Sequence, residues 1–181
     1  MRKLVLSMFM SLDGYVEGPN KELIGPAYSQ DLQRRWIDRN MDRAGLMLYG
    51  RVAYEGMAQF WTSPNAPKAE AEKLAGFDKL VFSRTLKTAN WGNVTIIRDN
   101  IADEINRRKA QPGRDMVLIA GGNIAQTFLR LGLIDEINLL IMPMLFGAGT
   151  RLFDADTGKM PLTLVESVTL EGGLIHAVYR R

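Results

Sequence analysis

The sequence of 181 residues predicts an α/β fold, in which a mainly parallel central sheet carries helices on both faces and an antiparallel C-terminal hairpin. Over the first three quarters of the chain, short apolar runs alternate with segments of helical spacing, which is the order expected of a parallel sheet. In the last quarter two such runs follow each other directly, as antiparallel strands do. The first run is almost uninterrupted by polar residues, and this is typical of a strand covered on both faces.

The first predicted strand is the apolar run from Leu4 to Leu12, which ends at the turn-forming pair Asp13-Gly14. The last two predicted strands, 162–170 and 174–179, flank Gly172-Gly173 as a hairpin. Between them, apolar runs predict strands at 46–49, 79–82, 94–97, 116–120 and 136–142.

The predicted helices lie between these strands. Ser29 is placed to cap the first helix, which continues to Arg43 with apolar residues at helical spacing. Asn100 is expected to cap a helix that extends to about Ala110 and carries acidic residues in its first turn. Further helices are predicted at 52–60, at 68–74 and from Gly121-Gly122 to about Gly132.

The composition limits the chemistry that the chain can perform. Its 46% of hydrophobic and 24% of charged residues are ordinary for a globular protein, here expected to form one domain over residues 1–181. The absence of cysteine excludes disulfides, thiolate metal sites and cysteine nucleophiles. His176 is the single histidine, so we expect no metal, and an enzyme of this composition would take its reactivity from an organic cofactor.

Charge and hydropathy predict a cytoplasmic protein that acts on a small molecule. The net charge of +3 comes without a basic cluster interleaved with aromatic residues, so no nucleic acid is expected as a partner. No apolar stretch approaches the about 20 residues that cross a membrane. The apolar run after Met1 lacks a small-residue cleavage site and ends at Asp13-Gly14, which favours a buried strand over a signal peptide.

Three predicted strands end in small or basic residues, at 48–51, 81–84 and 119–123. Ligands of open α/β sheets bind at the carboxyl ends of the strands, where glycine lets a phosphate approach and the next helix offers free N–H groups. Each segment alone is also compatible with an ordinary strand-to-helix turn. Three such segments in one chain favour a dinucleotide site.

Two arginines suggest which dinucleotide is bound. Gly121-Gly122 lacks the third glycine and the acidic residue about 20 positions later that mark an NAD-binding Rossmann turn. Arg51 and Arg84 instead follow two of the strand ends, and a guanidinium fork suits a 2′-phosphate. The sequence therefore predicts NADPH as cofactor, although Arg84 is also compatible with a solvated loop.

Six short segments occur along almost the whole chain in a fixed order, namely Ser11-Leu12-Asp13-Gly14, Gly50-Arg51-Val52-Ala53-Tyr54-Glu55, Ser83-Arg84, Gly121-Gly122, Leu133-Ile134-Asp135-Glu136 and Pro143-Met144-Leu145-Phe146-Gly147-Ala148-Gly149. Together they resemble the reductase domain of the bifunctional deaminase-reductase of riboflavin biosynthesis and its stand-alone relatives. The resemblance implies the dihydrofolate-reductase-like fold, with three layers α/β/α.

The resemblance also implies site residues and two departures. Relatives usually carry threonine in place of Ala53, so one phosphate contact is missing, and a cysteine-free chain cannot hold the zinc of the deaminase half. The residues that resemble the NADPH-binding positions are Gly50, Arg51 and Val52 beside the phosphates, Ser83 and Arg84 at the 2′-phosphate, and Ala120, Gly121, Gly122, Asn123 and Ile124 under the pyrophosphate and nicotinamide.

Asp31 and Asp13 are the candidate catalytic residues, because hydride transfer also needs a proton source. Asp31 opens the first helix, where dihydrofolate reductases place their acid, and its alternative is a charge that stabilises the helix start. Asp13 follows the first strand and is equally compatible with a turn. His176 lies among apolar residues and is expected to belong to the core.

Three functions compete at this point. Reduction of the riboflavin precursor 5-amino-6-(5-phosphoribosylamino)uracil requires a basic residue for its phosphate, for which Arg151 or Arg35 are candidates. Dihydrofolate reduction requires a pocket carboxylate, for which Asp31 is the candidate. A non-catalytic nucleotide-binding sensor or scaffold would be consistent with Ala53 and with the alternative, structural interpretations of both candidate acids.

The segment Ile137 to Phe146 is expected to carry more apolar surface than a last connection needs, which favours association into a homodimer. The related reductase domains are similar in forming dimers through this end of the sheet. The alternative is that the segment is simply a buried strand of the sheet.

Overall fold

A computed structural model describes residues 1–22, 25–119 and 121–181. Its strands are β1 (Leu4–Ser11), β2 (Tyr15–Glu17), β3 (Ala44–Gly50), β4 (Asp78–Phe82), β5 (Asn93–Ile97), β6 (Asp115–Leu118), β7 (Glu136–Met142), β8 (Thr150–Arg151), β9 (Thr163–Leu170) and β10 (Leu174–Arg180).

The first helical stretch covers residues 30–43 and changes its winding along its length. It consists of α1 (Gln30–Leu32), a π-helical segment (Gln33–Asp38) and α2 (Arg39–Arg43). The other α-helices are α3 (Arg51–Trp61), α4 (Lys68–Ala75), α5 (Ile101–Lys109) and α6 (Gly122–Arg130). None of the helices in the described part of the chain has both the length and the apolar character needed to cross a membrane.

Eight strands form one sheet in the order β5-β4-β3-β6-β1-β7-β10-β9. The first six strands in this order, β5, β4, β3, β6, β1 and β7, are parallel to one another, whereas β10 is antiparallel to both β7 and β9. The predicted parallel sheet with an antiparallel C-terminal hairpin is therefore confirmed. Because parallel strands point the same way, β1, β3, β4, β6 and β7 all end at one side of the sheet, which we call the carboxyl edge.

Alternating side chains of β1 enter cores on opposite faces of the sheet. Leu4 and Leu6 pack with Ile105 of α5 and Phe128 of α6. On the other face, Phe9 lies against Trp36 of the π-helical segment, with ring centroids 5.4 Å apart. Cover on both faces explains why the first predicted strand is almost continuously apolar.

Strands β2 and β8 form a separate two-stranded antiparallel ribbon, the β2–β8 ribbon, in which Tyr15 is paired with Arg151 and Glu17 with Thr150. The sequence did not predict this ribbon. It packs against the start of α6, because a Cβ atom on Gly122 would touch the side chains of Thr150 and Val16.

One predicted helix cap is confirmed and the other is wrong. The Ser29 hydroxyl accepts a hydrogen bond of 3.1 Å from the backbone N–H of Leu32, as expected of an N-cap. Asn100 has a left-handed backbone, with a φ of 54°, and its side chain makes no capping bond to α5. Asparagine tolerates this conformation better than most residues, so it serves the turn between β5 and α5 through its backbone.

The expectation that Ile137 to Phe146 exposes a long apolar surface was wrong for most of the segment. Its strand part is β7, which lies inside the sheet between β1 and β10. Met144 and Leu145 alone in this segment are large exposed apolar side chains, at 38% and 69%. Beyond this segment, exposed apolar side chains occur in or beside β9 and β10, at Leu162, Leu164, Val165 and Ile175.

Candidate functional site

The carboxyl edge brings the end of β3 into contact with the first turn of α6. A Cβ atom built on Gly50 would lie 3.0 Å from Cγ2 of Ile124. Gly50 therefore allows a close approach that a side chain would disturb. Two of the strand ends singled out in the sequence are neighbours in the structure.

The third strand end, that of β4, lies beside β3, since Phe82 is paired with Gly50. The next residues, Ser83 and Arg51, thus follow adjacent strands. The Ser83 hydroxyl accepts hydrogen bonds from the backbone N–H groups of Thr85, at 3.2 Å, and Leu86, at 2.9 Å. The Ser83 hydroxyl therefore stabilises the turn that contains Arg84.

Both arginines of this edge are partly neutralised by carboxylates. Arg51 forms an ion pair of 2.8 Å with Glu55, one helical turn along α3, and Arg84 one of 3.2 Å with Asp99. The Arg84 side chain is 81% exposed. Exposed ion pairs contribute only about 0–1 kcal/mol, so a bound phosphate can compete with either carboxylate for its arginine.

The first turn of α6 has the properties of an anion-binding helix start. Gly121 precedes the helix with extended backbone, and no side chain of the described residues caps the first N–H groups of α6. These groups and the positive end of the helix dipole favour a bound anion. Asn123 and Ile124 belong to this turn, whereas Ala120, another predicted contact, lies outside the described residues. Val52, in the first turn of α3, is 66% exposed at the same edge.

The structure shows a packing reason for glycine at position 122, whereas its predicted function under the cofactor phosphates stays a prediction. Gly122 is buried, and a side chain here would collide with the methyl group of Thr150 and come within 3.0 Å of Val16. The space next to its Cα is thus filled by the β2–β8 ribbon. Gly121 is less crowded, because a Cβ atom built on it would contact only Oε1 of Glu17 among the described residues, at 3.3 Å.

Asp13 joins two of the motifs that lie far apart in the sequence. Its Oδ1 accepts hydrogen bonds from the Ser11 hydroxyl, at 2.6 Å, and the Phe146 N–H, at 3.2 Å, and its Oδ2 accepts one from the Gly147 N–H, at 2.8 Å. The bond from Ser11, with those from Gly147 and Phe146, lowers the pKa of Asp13 to about 2. The catalytic function of Asp13 stays a prediction, and these contacts favour a structural function.

Asp31 lies at the start of the first helical stretch, beside the carboxyl edge. The next residue, Leu32, belongs to the same apolar cluster as Met142, the last residue of β7, and Leu174, the first of β10. The Asp31 carboxylate is 33% exposed and lies 3.4 Å from Nε of Arg35. It is the less constrained of the two candidate acids, and its catalytic function also stays a prediction.

His176 belongs to a polar network inside the protein. It is fully buried, and its Nε2 donates a hydrogen bond of 2.6 Å to Oδ1 of Asn138. The Asn138 amide in turn donates to Oδ1 of Asn40, at 3.1 Å, and to the Ser7 hydroxyl, at 3.4 Å. Burial lowers the pKa of His176, with a further contribution from Arg39, so the imidazole is neutral at physiological pH. This environment agrees with the expected core histidine.

Sequence reasoning missed two residues beside α6. The Thr150 hydroxyl donates a hydrogen bond of 3.1 Å to Oε2 of Glu17, and the other oxygen of this carboxylate faces Gly121. Neither residue belongs to a motif of recognisable spacing. Their proximity depends on the β2–β8 ribbon, which pairs positions 133 residues apart.

The sequence of this chain is similar to those of known proteins. The family model described as the RibD C-terminal domain matches residues 2–176. The chain is 32% identical over 181 residues to the uncharacterized protein YyaP of Bacillus subtilis (strain 168), covering 98% of this chain and 94% of YyaP.

Three solved structures show the same fold. A putative riboflavin biosynthesis protein from Shewanella sp. PV-4 has a TM-score of 0.77 and 23% identity, covering 100% of this chain and 99% of that one. The Thermotoga maritima deaminase and 5-amino-6-(5-phosphoribosylamino)uracil reductase has a TM-score of 0.68 and 13% identity, with 99% of this chain and 56% of that chain covered. Dihydrofolate reductase from Enterococcus faecalis, complexed with NADP(H), has a TM-score of 0.61 and 15% identity, with 99% and 96% covered. These likenesses confirm the dihydrofolate-reductase-like fold.

Proposed function

The chain belongs to the RibD C-terminal domain family, and from this membership we propose that it is an NADPH-dependent reductase of a small heterocyclic substrate. A reductase-like function is what the family supports. The observation that carries the finer proposal is the continuous carboxyl edge, where Arg51 and Ser83-Arg84 follow adjacent strands and Gly50 touches the start of α6.

The residues of this edge fit the parts of NADPH one by one. The uncapped N–H groups at the start of α6 suit a diphosphate, and the exposed guanidinium groups of Arg51 and Arg84 suit the additional 2′-phosphate. When bound, the nicotinamide supplies the hydride, and the protein has to orient the substrate and provide a proton. We assign the proton to Asp31, because it lies beside the carboxyl edge and, among the described residues, its carboxylate is held by the ion pair with Arg35 alone.

For the substrate we propose 5-amino-6-(5-phosphoribosylamino)uracil, the compound in the name of the similar Thermotoga maritima enzyme. Arg151 is a candidate for its phosphate, since it lies in the β2–β8 ribbon beside Gly122 at the start of α6. Its guanidinium lies 4.8 Å from the centre of the Tyr15 ring. Dihydrofolate is the second candidate, favoured by the position of Asp31 at the helix start and by the fold shared with Enterococcus faecalis dihydrofolate reductase.

The test is NADPH binding and NADPH oxidation by the purified protein. Quenching of tryptophan fluorescence reports binding, and the absorbance of the reduced nicotinamide reports turnover with each substrate in turn. Oxidation with the uracil derivative and not with dihydrofolate supports the proposal, and the reverse result selects the second candidate. Tight NADPH binding without turnover of either compound would contradict the reductase and favour the sensor.

A variant tests the cofactor site separately. Ala53→Thr, which introduces the hydroxyl usual in relatives, should tighten NADPH binding.

We also propose that the protein is a homodimer through the β9 end of the sheet. β9 is an edge strand whose Leu164 and Val165 are 53% and 43% exposed, and Ile175 of the neighbouring β10 is 38% exposed. Exposed apolar side chains beside an open strand edge are a typical surface for association with a second chain. Light scattering should give twice the chain mass of 20.3 kDa for the unchanged protein. The variant Val165→Lys, which places a charge in the interface, should give the mass of a single chain. A monomeric mass for the unchanged protein would contradict the dimer.

A further inference from the structure

Glu17 is the charged residue that the β2–β8 ribbon carries to the start of α6. It ends β2, and Oε1 of its carboxylate lies 3.3 Å from the position of a Cβ atom on Gly121. Its neighbour Val16 packs against Gly122 in the first turn of the helix. The carboxylate therefore lies beside the turn to which we assign the diphosphate of the cofactor.

Two features of the ribbon fix this position. Gly149 has a φ of +126°, and a Cβ atom there would collide with the backbone carbonyl of Glu17. Glycine at the end of the motif 143–149 thus lets the two chain segments approach. Thr150 then donates its hydroxyl to Oε2 of Glu17, at 3.1 Å. Oε1 accepts no side-chain hydrogen bond from any residue in the described part of the chain and remains available.

The order of the strands shows which part of a dinucleotide would meet Oε1. Arg84 follows β4, α6 follows β6, and Glu17 follows β1 through a short turn. In the sheet these strands lie in the order β4-β3-β6-β1, so β4 and β1 are three strand spacings, or roughly 14 Å, apart. With the 2′-phosphate at Arg84 and the diphosphate at α6, the nicotinamide ribose falls on the side of Glu17.

The chemistry of a carboxylate decides what it can recognise there. It only accepts hydrogen bonds, so it is repelled by a diphosphate and attracted by hydroxyl groups, as the acidic residues of other dinucleotide sites are by a ribose. Stabilisation of the positive helix end is the alternative function of this carboxylate. That function alone would affect the stability of the protein and not the choice of ligand.

We propose that Glu17 is a specificity-determining residue of the cofactor site, where its Oε1 accepts hydrogen bonds from the hydroxyl groups of the nicotinamide ribose and Thr150 orients it. This inference rests on the proposed NADPH site. It extends that site to the β2–β8 ribbon and gives the glycine of the 143–149 motif a function in cofactor recognition.

The test compares three ligands by calorimetry: NADPH, its reduced nicotinamide mononucleotide half and its adenosine 2′,5′-bisphosphate half. Glu17→Ala should weaken binding of NADPH and of the nicotinamide half by roughly tenfold or more, as expected for hydrogen bonds to a charged group, and leave the adenosine half unchanged. Thr150→Val, which keeps the shape, should cause a smaller loss for the same two ligands. Glu22→Gln removes the same charge nearby and should change none of the three.

The outcomes separate this inference from the proposed function. If the unchanged protein binds none of the ligands, the NADPH site itself is wrong and the inference falls with it. If it binds them and Glu17→Ala tightens NADPH or weakens all three equally, only the inference is overturned. A lower melting temperature of Glu17→Ala with unchanged affinities would show that the carboxylate only stabilises α6.

Discussion

Asp13 and Gly147 are joined by a hydrogen bond of 2.8 Å between the carboxylate and the backbone N–H, across 134 positions of sequence. Ser11 donates to the same carboxylate and also accepts the N–H of Tyr15, at 2.9 Å. Asp13 thus couples the turn after β1 to the loop that leads into the β2–β8 ribbon. Through this ribbon it helps to position the first turn of α6.

Asp13→Asn should destabilise the protein, and the loss should depend on pH. Because the hydrogen bonds lower the pKa of Asp13 from 3.8 to about 2, its contribution is complete above pH 3.8 and disappears as the pH falls through about 2. Urea unfolding at a series of pH values should show a variant that is weaker at neutral pH and equal to the unchanged protein at the acid end. Asp156→Asn, at an exposed site, is the control and should show no such convergence.

Arg84→Ala should weaken NADPH by roughly tenfold or more and leave NADH nearly unchanged, because a charge-assisted bond to the 2′-phosphate is lost. Titration of both cofactors measures the difference. Arg130→Ala is the control, since Arg130 is also paired with an aspartate, Asp154 at 2.7 Å, but lies at the far end of α6. Equal losses for NADPH and NADH would remove Arg84 from the 2′-phosphate site.

Gly122→Ala should cost about 1–3 kcal/mol in the free energy of unfolding, because the added methyl group overfills the contact with Thr150 and Val16. Thr150→Ser removes the methyl group that is struck and keeps the hydroxyl. The double variant should therefore recover part of the loss, as thermal or urea unfolding would show. Additive losses in the double variant would mean that the ribbon does not limit the space at Gly122.

Lys79→Met should destabilise the protein by about 2–3 kcal/mol, because the amine donates to three carbonyl groups. They belong to Leu74, Ala75 and Phe77, near the end of α4, at 2.7–3.3 Å.

Burial lowers the pKa of Lys79 from 10.5 to about 8, so the unfolded chain binds more protons than the folded protein between these two pH values. The unchanged protein should gain stability as the pH rises through this window.

The pH experiment on Lys79 has a clear contrary result. If the unchanged protein and Lys79→Met show the same slope of unfolding free energy between pH 8 and 10.5, the amine is not protonated differently in the two states. Lys73→Met is a suitable control. It removes a lysine of α4 whose side chain is 47% exposed, and the slope should stay as in the unchanged protein.

Strands with a continuous local signal were predicted well. β7 was predicted with the bounds it has, and β1 and β4 within one residue, because each is a run of apolar residues that ends at a turn. The β2–β8 ribbon escaped prediction because strands of three and two residues contain no periodicity. Its existence depends on the pairing of Glu17 with Thr150, and such a distant pair leaves no trace in the local pattern.

The sequence predicted which residues gather at the carboxyl edge but not the contacts between them, and their binding of a cofactor stays a prediction. Gly50, Arg51, Ser83 and Arg84 were found because they follow strands, and parallel strands end at one edge. The sequence could not show that the ribbon excludes a side chain at Gly122, nor that the free helix start faces the carboxylate of Glu17. Both facts depend on atoms that only the folded chain brings together.

The central position of β1 in the sheet has a consequence for folding during translation. Leu4 is paired with Met116 and Val5 with Glu136, so β1 can pair with neither neighbour until β6 and β7, more than 100 residues later in the sequence, have been translated. At the usual speed of translation this delay lasts roughly 6–25 seconds. During that time β1, which is largely apolar, has both hydrogen-bonding edges open, so the growing chain exposes a strand that can pair with other chains.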